Sequence, residues 1–194
     1  MSRVILITGG QRSGKSAYAE QLALSLAENP VYMATARIWD EEFRQRVCRH
    51  QERRGPQWTN IEEPLQLSRH NVEGRVVLVD CITLWLTNFY FSEAMQVEAE
   101  QADNMQAADM QSDAEQAAVF VDRVLAMAKA EFDRLTAQPQ STFIFVTNEI
   151  GSGGVSDNAL QRRFTDLQGW MNQYVAARAD EVVLMVSGIP MKIK

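Results

Sequence analysis

Hydrophobic and polar positions along the chain alternate between short apolar runs and longer stretches with helical spacing. The first run, Arg3 to Thr8, is apolar on both faces, as expected for a central strand of a parallel sheet. Similar runs predict further strands at residues 31–34, 75–80, 142–147 and 181–186. Stretches with helical spacing lie between the runs, at residues 16–27, 40–54 and 157–178. This order is typical of an α/β chain with a mostly parallel sheet.

The boundaries of two of these helices can be predicted from local residue types. Asp40 is a good N-cap, and Gly55-Pro56 would stop the helix that it begins. The helix at 157–178 should bury one face, which carries Leu160, Phe164, Leu167, Met171 and Tyr174. After the run at 181–186, Ser187-Gly188 and residues 189–194 predict a hairpin that adds an antiparallel edge strand.

Composition favours one globular domain over all 194 residues, because 46% of the residues are hydrophobic and 23% are charged. The formal charge of −6 argues against a nucleic-acid or anionic-membrane binder, which needs a basic face. Two cysteines are too few for a disulfide framework, which favours a cytoplasmic protein with reduced thiols. The most apolar stretch, Val76–Phe91, contains polar residues and predicts no membrane span. Residues 92–115 form an acidic excursion, which we expect to be helical or mobile.

A phosphate-binding pattern, G-x-x-x-x-G-K-[ST], stands between the first predicted strand and the first predicted helix. Its residues are Gly9, Gly10, Gln11, Arg12, Ser13, Gly14, Lys15 and Ser16. The glycines let successive backbone N–H groups point inward at phosphate oxygens, and the helix adds its positive end. In such a loop, Lys15 reaches the β- and γ-phosphates and the Ser16 hydroxyl binds Mg²⁺.

Asp80 is the candidate partner carboxylate for that magnesium ion, because it ends the apolar strand 76–79. An aspartate in this place can also cap a turn or helix, but the phosphate loop favours the metal role. We therefore predict a P-loop NTPase-like three-layer sandwich, with an antiparallel edge strand at its end, that binds a nucleoside triphosphate with Mg²⁺.

Several classes of P-loop protein remain possible. A regulatory GTPase needs an Asn-Lys-x-Asp base reader, but the nearest string, Thr147-Asn148-Glu149-Ile150, has a glutamate in place of the lysine. A small-molecule kinase, with His50 merely structural, needs only the loop, a metal, an arginine and an acceptor pocket. A nucleotidyltransferase would add a nucleophile near the α-phosphate. A nucleotide-sensing module without chemistry is the fourth class.

An arginine-rich segment around His50 bears on this choice. Arg46 and Arg53 flank the histidine at helical spacing, and further arginines stand at 37, 44, 49 and 54. Guanidinium groups suit phosphate oxygens and would favour the neutral, nucleophilic form of His50. That imidazole could attack an α-phosphate and expel pyrophosphate. An exposed helix with internal salt bridges explains the same pattern equally well.

Several separate motifs in one order resemble those of the bifunctional adenosylcobinamide kinase / adenosylcobinamide-phosphate guanylyltransferase family of cobalamin biosynthesis. The likeness covers nearly the whole chain and is weakest from about 91 to 140. The motifs are residues 9–16, 32–36, 46–50, 54–58 with Glu62, 80–83, 87–88, 147–151 and 186–190.

The resemblance implies two reactions on one fold. A kinase would phosphorylate adenosylcobinamide with ATP or GTP, and a transferase would then attach GMP from GTP to adenosylcobinamide phosphate, releasing pyrophosphate. It places the guanylylated histidine at His50. It also implies a homo-oligomer, expected to be a trimer. The implied nucleotide contacts are Gly9 to Ser16, Ala34, Thr35, Ala36, Gln51, Glu52, Arg53, Arg54, Glu62 and Asp80.

Three other residues allow both a functional and a structural interpretation. Glu149 is suited to position the acceptor hydroxyl or to cap a turn. Cys81 is either a reactive thiol or, more commonly, a packed one. Trp85 either offers apolar surface to a bulky corrinoid or packs in the core.

Overall fold

A seven-stranded sheet forms the middle layer of the protein in the computed structural model, which describes residues 1–37, Glu41, 55–103 and 113–194. The strand order across this sheet is β3-β2-β4-β5-β1-β6-β7. The strands are β1 (Arg3–Gly9), β2 (Val31–Ala34), β3 (Thr59–Glu62), β4 (Val76–Asp80), β5 (Thr142–Val146), β6 (Glu181–Val186) and β7 (Ile189–Lys192).

The first six strands are parallel, and only β7 pairs antiparallel with its neighbour. β1 lies between β5 and β6, with Ile7 opposite Val146 on one side and Gly9 opposite Met185 on the other. Because the six parallel strands share a direction, their carboxyl ends meet along a single edge of the sheet. In α/β proteins this edge is where ligands bind.

Helices cover both faces of the sheet. The helices are α1 (Lys15–Leu26), α2 (Ile82–Asp103), α3 (Asp113–Thr136) and α4 (Ala159–Arg178). Two short 3₁₀ turns lie at Leu67–Arg69 and Gly151–Gly153. No helix in the described ranges has the length and apolar character that crossing a bilayer requires.

Alternate side chains of the strands supply two hydrophobic cores. On one face, Leu6, Val79 and Phe145 pack with residues of α2, α3 and α4. On the other, Ile7 and Leu78 pack with the small residues of α1. The strands are therefore apolar on both faces because helices lie on both sides, which makes the protein a three-layer sandwich.

Most expectations about the elements are confirmed, with small shifts of their boundaries. The fold class, the five predicted apolar strands and the antiparallel edge strand are present. β3 is a strand that the sequence analysis did not predict, because its alternating Thr59-Asn60-Ile61-Glu62 is neither long nor apolar.

Other expectations need correction or lie outside the described residues. α4 begins at Ala159 rather than at residue 157, and its predicted apolar face does not extend to Leu160, which is 49% exposed. Of the acidic excursion, residues 92–103 belong to α2 and 113–115 to α3. Apart from Glu41, the helix expected at 40–54 lies outside the described residues, as do residues 104–112.

Candidate nucleotide site

Candidate site residues from four strands meet at the carboxyl edge of the sheet. Gly9 ends β1, Ala34 ends β2, Glu62 ends β3 and Asp80 ends β4. Ala34 is the register partner of both Glu62 and Asp80 on its two sides. The pairing of parallel strands therefore brings together residues that are far apart in the sequence.

The phosphate loop begins at Gly9 and ends in the first turn of α1. Gly9, Arg12 and Gly14 have φ values of 149°, 61° and 93°, so the loop backbone has a positive φ at three residues. The Ser13 N–H donates to the carbonyl oxygen of Gly10 at 3.3 Å, which closes the turn. This is the compact, glycine-dependent conformation that an anion-binding loop before a helix requires.

Lys15 folds back over this loop. Its Nζ donates to the carbonyl oxygen of Gly10 at 2.6 Å and lies 3.5 Å from the Ser13 hydroxyl, and the residue is only 7% exposed. Burial lowers the pKa of Lys15, while the neighbouring Cys81 and Asp80 act in the opposite direction. The ammonium group is thus held at the loop and partly desolvated, which strengthens its attraction for phosphate oxygens.

Asp80 is oriented by a buried tyrosine. The hydroxyl of Tyr32, on β2, donates to Asp80 Oδ2 at 2.7 Å. The Tyr32 ring is fixed in turn by an edge-to-face contact with Trp58, at a centroid distance of 5.5 Å. The carboxylate is therefore set by its strand position and by this hydrogen bond.

A buried hydrogen-bond network joins the segment after β2 to the segments after β3 and β4. The Thr35 hydroxyl donates to the carbonyl oxygen of Cys81 and accepts from the Cys81 N–H, both at 2.9 Å. Asn88 Nδ2, on α2, donates to the carbonyl oxygens of Thr35 at 2.6 Å and Pro64 at 2.9 Å. Since Thr35 is fully buried, its side chain holds the backbone of the site in place.

A second network holds the end of β5 against α4. Gln168 Nε2 donates to the Thr147 hydroxyl at 2.9 Å, and that hydroxyl donates to Asn172 Oδ1 at 2.7 Å. The Asn148 N–H donates to the Thr83 hydroxyl at 3.1 Å. The sequence analysis missed Gln168 and Asn172, although a glutamine at the centre of an otherwise apolar helix face is a signal that could have identified Gln168.

Glu149 contacts the phosphate loop through its backbone, with its N–H donating to the carbonyl oxygen of Gly9 at 3.0 Å. Its side chain accepts from the N–H of Gly151, the first residue of the following 3₁₀ turn, at 2.9 Å. For Trp85 and Cys81, the structure favours the structural interpretation over the functional one. Trp85 is fully buried, and burial raises the pKa of the Cys81 thiol to about 12.

The structure thus brings Gly9 to Ser16, Ala34, Thr35, Ala36, Glu62 and Asp80 to one edge of the sheet. His50, Gln51, Glu52, Arg53 and Arg54 lie outside the described residues. The described residues can offer the backbone N–H groups of the loop and the Lys15 ammonium group to an anion. Ser16 follows Lys15 in the first turn of α1, and Asp80 ends β4 at the same edge of the sheet.

The chain is similar to known proteins over nearly its full length. A family model described as cobinamide kinase / cobinamide phosphate guanyltransferase matches residues 5–193. The bifunctional adenosylcobalamin biosynthesis protein CobP of Pseudomonas aeruginosa is 36% identical over 193 residues, covering 97% of this chain and 96% of that protein. The CobU proteins of Salmonella typhimurium and Escherichia coli, which carry the same descriptive name, are 36% and 35% identical and cover 98% of this chain and 99% of their own length.

Solved structures give more distant matches. An ATPase from the type III secretion system of pathogenic bacteria aligns with 94% of this chain and 50% of its own, at 10% identity and a TM-score of 0.49. This likeness is too remote to bear on activity.

Proposed function

The chain belongs to the cobinamide kinase / cobinamide phosphate guanyltransferase family, and from this premise we propose that it is a bifunctional enzyme of cobalamin biosynthesis. It phosphorylates adenosylcobinamide with ATP or GTP, and it then transfers GMP from GTP to adenosylcobinamide phosphate. The products of the second reaction are adenosyl-GDP-cobinamide and pyrophosphate.

One observation carries the proposal beyond the family match: a phosphate loop with a desolvated lysine lies at the same sheet edge as a fixed carboxylate. Lys15 covers the loop through its contact with Gly10, and Asp80 is held by Tyr32. Both groups are held in place by other groups of the protein, as electrostatic stabilisation of phosphoryl transfer requires.

In the kinase reaction, the acceptor hydroxyl oxygen attacks the γ-phosphorus. The bond from that phosphorus to the β,γ-bridging oxygen breaks, the nucleoside diphosphate leaves, and the hydroxyl proton is released. The N–H groups of residues 9–16 and the ammonium group of Lys15 stabilise the charge on the phosphate oxygens. Since the Glu149 carboxylate accepts a hydrogen bond from the Gly151 N–H, we assign it no proton transfer.

In the transferase reaction, we assign the nucleophile to His50. Its neutral imidazole nitrogen forms a bond to the α-phosphorus of GTP while the bond to pyrophosphate breaks, which leaves a GMP–histidine phosphoramidate. A phosphate oxygen of adenosylcobinamide phosphate then attacks the same phosphorus and releases the histidine. This role rests on the family resemblance and on the arginines around His50 in the sequence.

Mg²⁺ is the metal that fits the described donors. The Ser16 hydroxyl and the Asp80 carboxylate are hard oxygen ligands, the type that Mg²⁺ prefers alongside substrate phosphates. When bound, the ion would neutralise charge on those phosphates. We propose that Ser16 and Asp80 hold it.

We propose the remaining nucleotide contacts from the family resemblance and, where the structure describes the residues, from their position at the sheet edge. Ala34 ends β2 at the sheet edge, Thr35 and Ala36 follow it, and Glu62 ends the neighbouring β3. Gln51, Glu52, Arg53 and Arg54 are assigned by resemblance alone, since they lie outside the described residues.

The test is incubation of the whole protein with Mg²⁺ and GTP labelled at the α-phosphorus, followed by a denaturing gel. We expect acid-labile label on the wild type and none on His50→Ala, while phosphorylation of adenosylcobinamide by ATP largely survives in the variant. Lys15→Ala should lose both activities, because it removes the cation that both reactions share.

Two outcomes would contradict the proposal. If a folded wild type that binds GTP takes up no label, the protein is a kinase of some alcohol and His50 is not a nucleophile. If His50→Ala loses both activities with the fold intact, the histidine does not act in the transfer step alone.

A further inference from the structure

The turn between β6 and β7 contacts the phosphate loop directly. The two strands are joined by Ser187 and Gly188, whose φ values of 52° and 85° are both positive, as in a type I′ hairpin. In such a turn, the N–H of the second central residue is not used to close the hairpin. Here the Gly188 N–H donates to the carbonyl oxygen of Ser13 at 2.9 Å.

This hydrogen bond satisfies the carbonyl oxygen of Ser13, a residue of the phosphate loop. A loop that points its N–H groups at an anion directs carbonyl oxygens away from it, and those oxygens need other partners. Lys15 takes the carbonyl oxygen of Gly10, and Gly188 takes that of Ser13. The hairpin therefore supplies a donor from outside the loop and its helix.

Two glycines of the phosphate loop also make room for this hairpin. A Cβ on Gly9 would lie 2.5 Å from the carbonyl oxygen of Met185, on β6, and 3.0 Å from the Ser13 hydroxyl. A Cβ on Gly14 would lie 3.3 Å from the Cα of Gly188. Hence these glycines serve the contact between the loop and the hairpin as well as the approach of phosphate.

We propose that the β6–β7 turn is a positioning element for the nucleotide site, with Gly188 as its positioning residue. By holding Ser13 and Gly14 in the anion-binding conformation, the turn sets the affinity for nucleotide in both reactions. This inference rests on the proposed function, since it requires that the loop bind a nucleoside triphosphate. It predicts a change in nucleotide Kd and KM that exceeds any change in kcat.

A matched pair of variants tests it. Gly188→Ala strains the backbone, because alanine disfavours the positive φ of this turn residue. It causes no steric clash, since no atom lies within 4 Å of the added Cβ. Gly74→Ala introduces the same backbone strain at the opposite edge of the sheet, because Gly74 has a φ of 71°. Its added Cβ would also lie in open space, and its N–H likewise donates to a carbonyl oxygen, that of Pro139, at 3.2 Å. The two substitutions should cost similar stability, measured as the midpoint of thermal unfolding without nucleotide.

We expect Gly188→Ala to raise the Kd for Mg²⁺-GTP and Mg²⁺-ATP about tenfold, or about 1.4 kcal/mol. Gly74→Ala should stay within about twofold of the wild type, since its strain lies far from the loop. Equal affinities in the two variants would overturn the proposal while leaving the proposed function intact. Failure of the wild type to bind either nucleotide would overturn both.

A measurement on the wild type keeps the proposal testable if Gly188→Ala does not fold. Saturating Mg²⁺-GTP should slow amide hydrogen exchange in a peptide spanning residues 184–190, as well as in the phosphate loop, and should leave residues 72–76 unchanged. Slower exchange in the loop alone would show that the hairpin does not respond to the nucleotide and would overturn the proposal.

Discussion

At the scale of single residues, the site depends on groups that hold other groups in place. Tyr32 illustrates this, because its side-chain hydroxyl donates to Asp80 Oδ2 and the residue is only 1% exposed. A second pair, Thr35 and Cys81, exchanges two hydrogen bonds through one hydroxyl. None of these contacts involves a residue of the phosphate loop itself.

The first prediction concerns Tyr32→Phe. Removing the hydroxyl frees the Asp80 carboxylate to rotate, so we expect the Mg²⁺ concentration for half-maximal kinase activity to rise about threefold to tenfold, with a loss of unfolding free energy near 1 kcal/mol. A Mg²⁺ titration at saturating ATP measures the first effect. Activity that falls while the Mg²⁺ dependence stays unchanged would argue against Asp80 as a metal ligand.

The second prediction concerns Cys81 and pH. Burial raises the pKa of its thiol from 9.0 to about 12, so above pH 9 the unfolded chain releases this proton while the folded protein keeps it. The thiol therefore does not lower the free energy of unfolding below pH 9. Between pH 9 and pH 12 this free energy decreases, by at most about 1.4 kcal/mol per pH unit.

Urea unfolding at pH 8, 9 and 10 in a Cys48→Ser background measures this slope, and Cys81→Ala in the same background is the control that should lack it. Native Cys81 should also resist alkylation at pH 8. Rapid alkylation of the folded protein would show that the thiol is accessible and acidic.

At the scale of elements, sequence patterns predicted the strands that their own residues define and missed the strand that depends on pairing with a neighbour. β1, β4 and β5 could be predicted, because strands buried between two helix layers consist almost entirely of apolar residues. β3 could not be predicted, since it lies at the sheet margin with alternate residues exposed. Its existence depends on pairing with β2 rather than on its own residues.

The candidate site divides in the same way. The phosphate loop has a fixed local spacing, so its place between β1 and α1 was predicted correctly. The hydrogen bonds from Tyr32 to Asp80 and from Gly188 to Ser13 join residues distant in sequence, and only the topology of the sheet brings them together. Spacing alone carries no information about such pairs.

The third prediction belongs to α4. Asn158 is its N-cap, and the side chain accepts from the Gln161 N–H at 3.0 Å. Asn158→Ala should lower the free energy of unfolding by about 1 kcal/mol, whereas Asn158→Asp should largely retain it, because aspartate caps as well. Chemical denaturation of the three proteins measures this. Equal losses in both variants would contradict a capping role.

At the scale of the whole molecule, the last strand leaves one apolar stripe uncovered. Ile189 and Met191, on β7, and Ile193, just after it, alternate along the edge of the sheet and are 65%, 50% and 59% exposed. Such a stripe on an edge strand is a ready surface for another chain. We propose that it contributes to a homo-oligomer, which the family resemblance also implies.

The fourth prediction tests that assembly. Met191→Glu places a charge in the stripe and should shift the mass measured by light scattering after gel filtration toward the monomer, while Lys192→Glu, one position along the same strand, should not. If Met191→Glu leaves an oligomer intact, the stripe is not the interface.

We also propose that residues 1–194 work as one unit, because the site takes residues from strands throughout the chain.

The placement of β1 between β5 and β6 has a consequence for the protein during its synthesis. The strand that carries the phosphate loop leaves the ribosome before the other strands of this sheet, but its two neighbours are among the last of them. A nascent chain therefore presents an apolar strand that has no partner, and its phosphate loop still lacks Gly188. Nucleotide can stabilise the finished protein by binding it, but it offers no such help to the growing chain, which must avoid aggregation by other means.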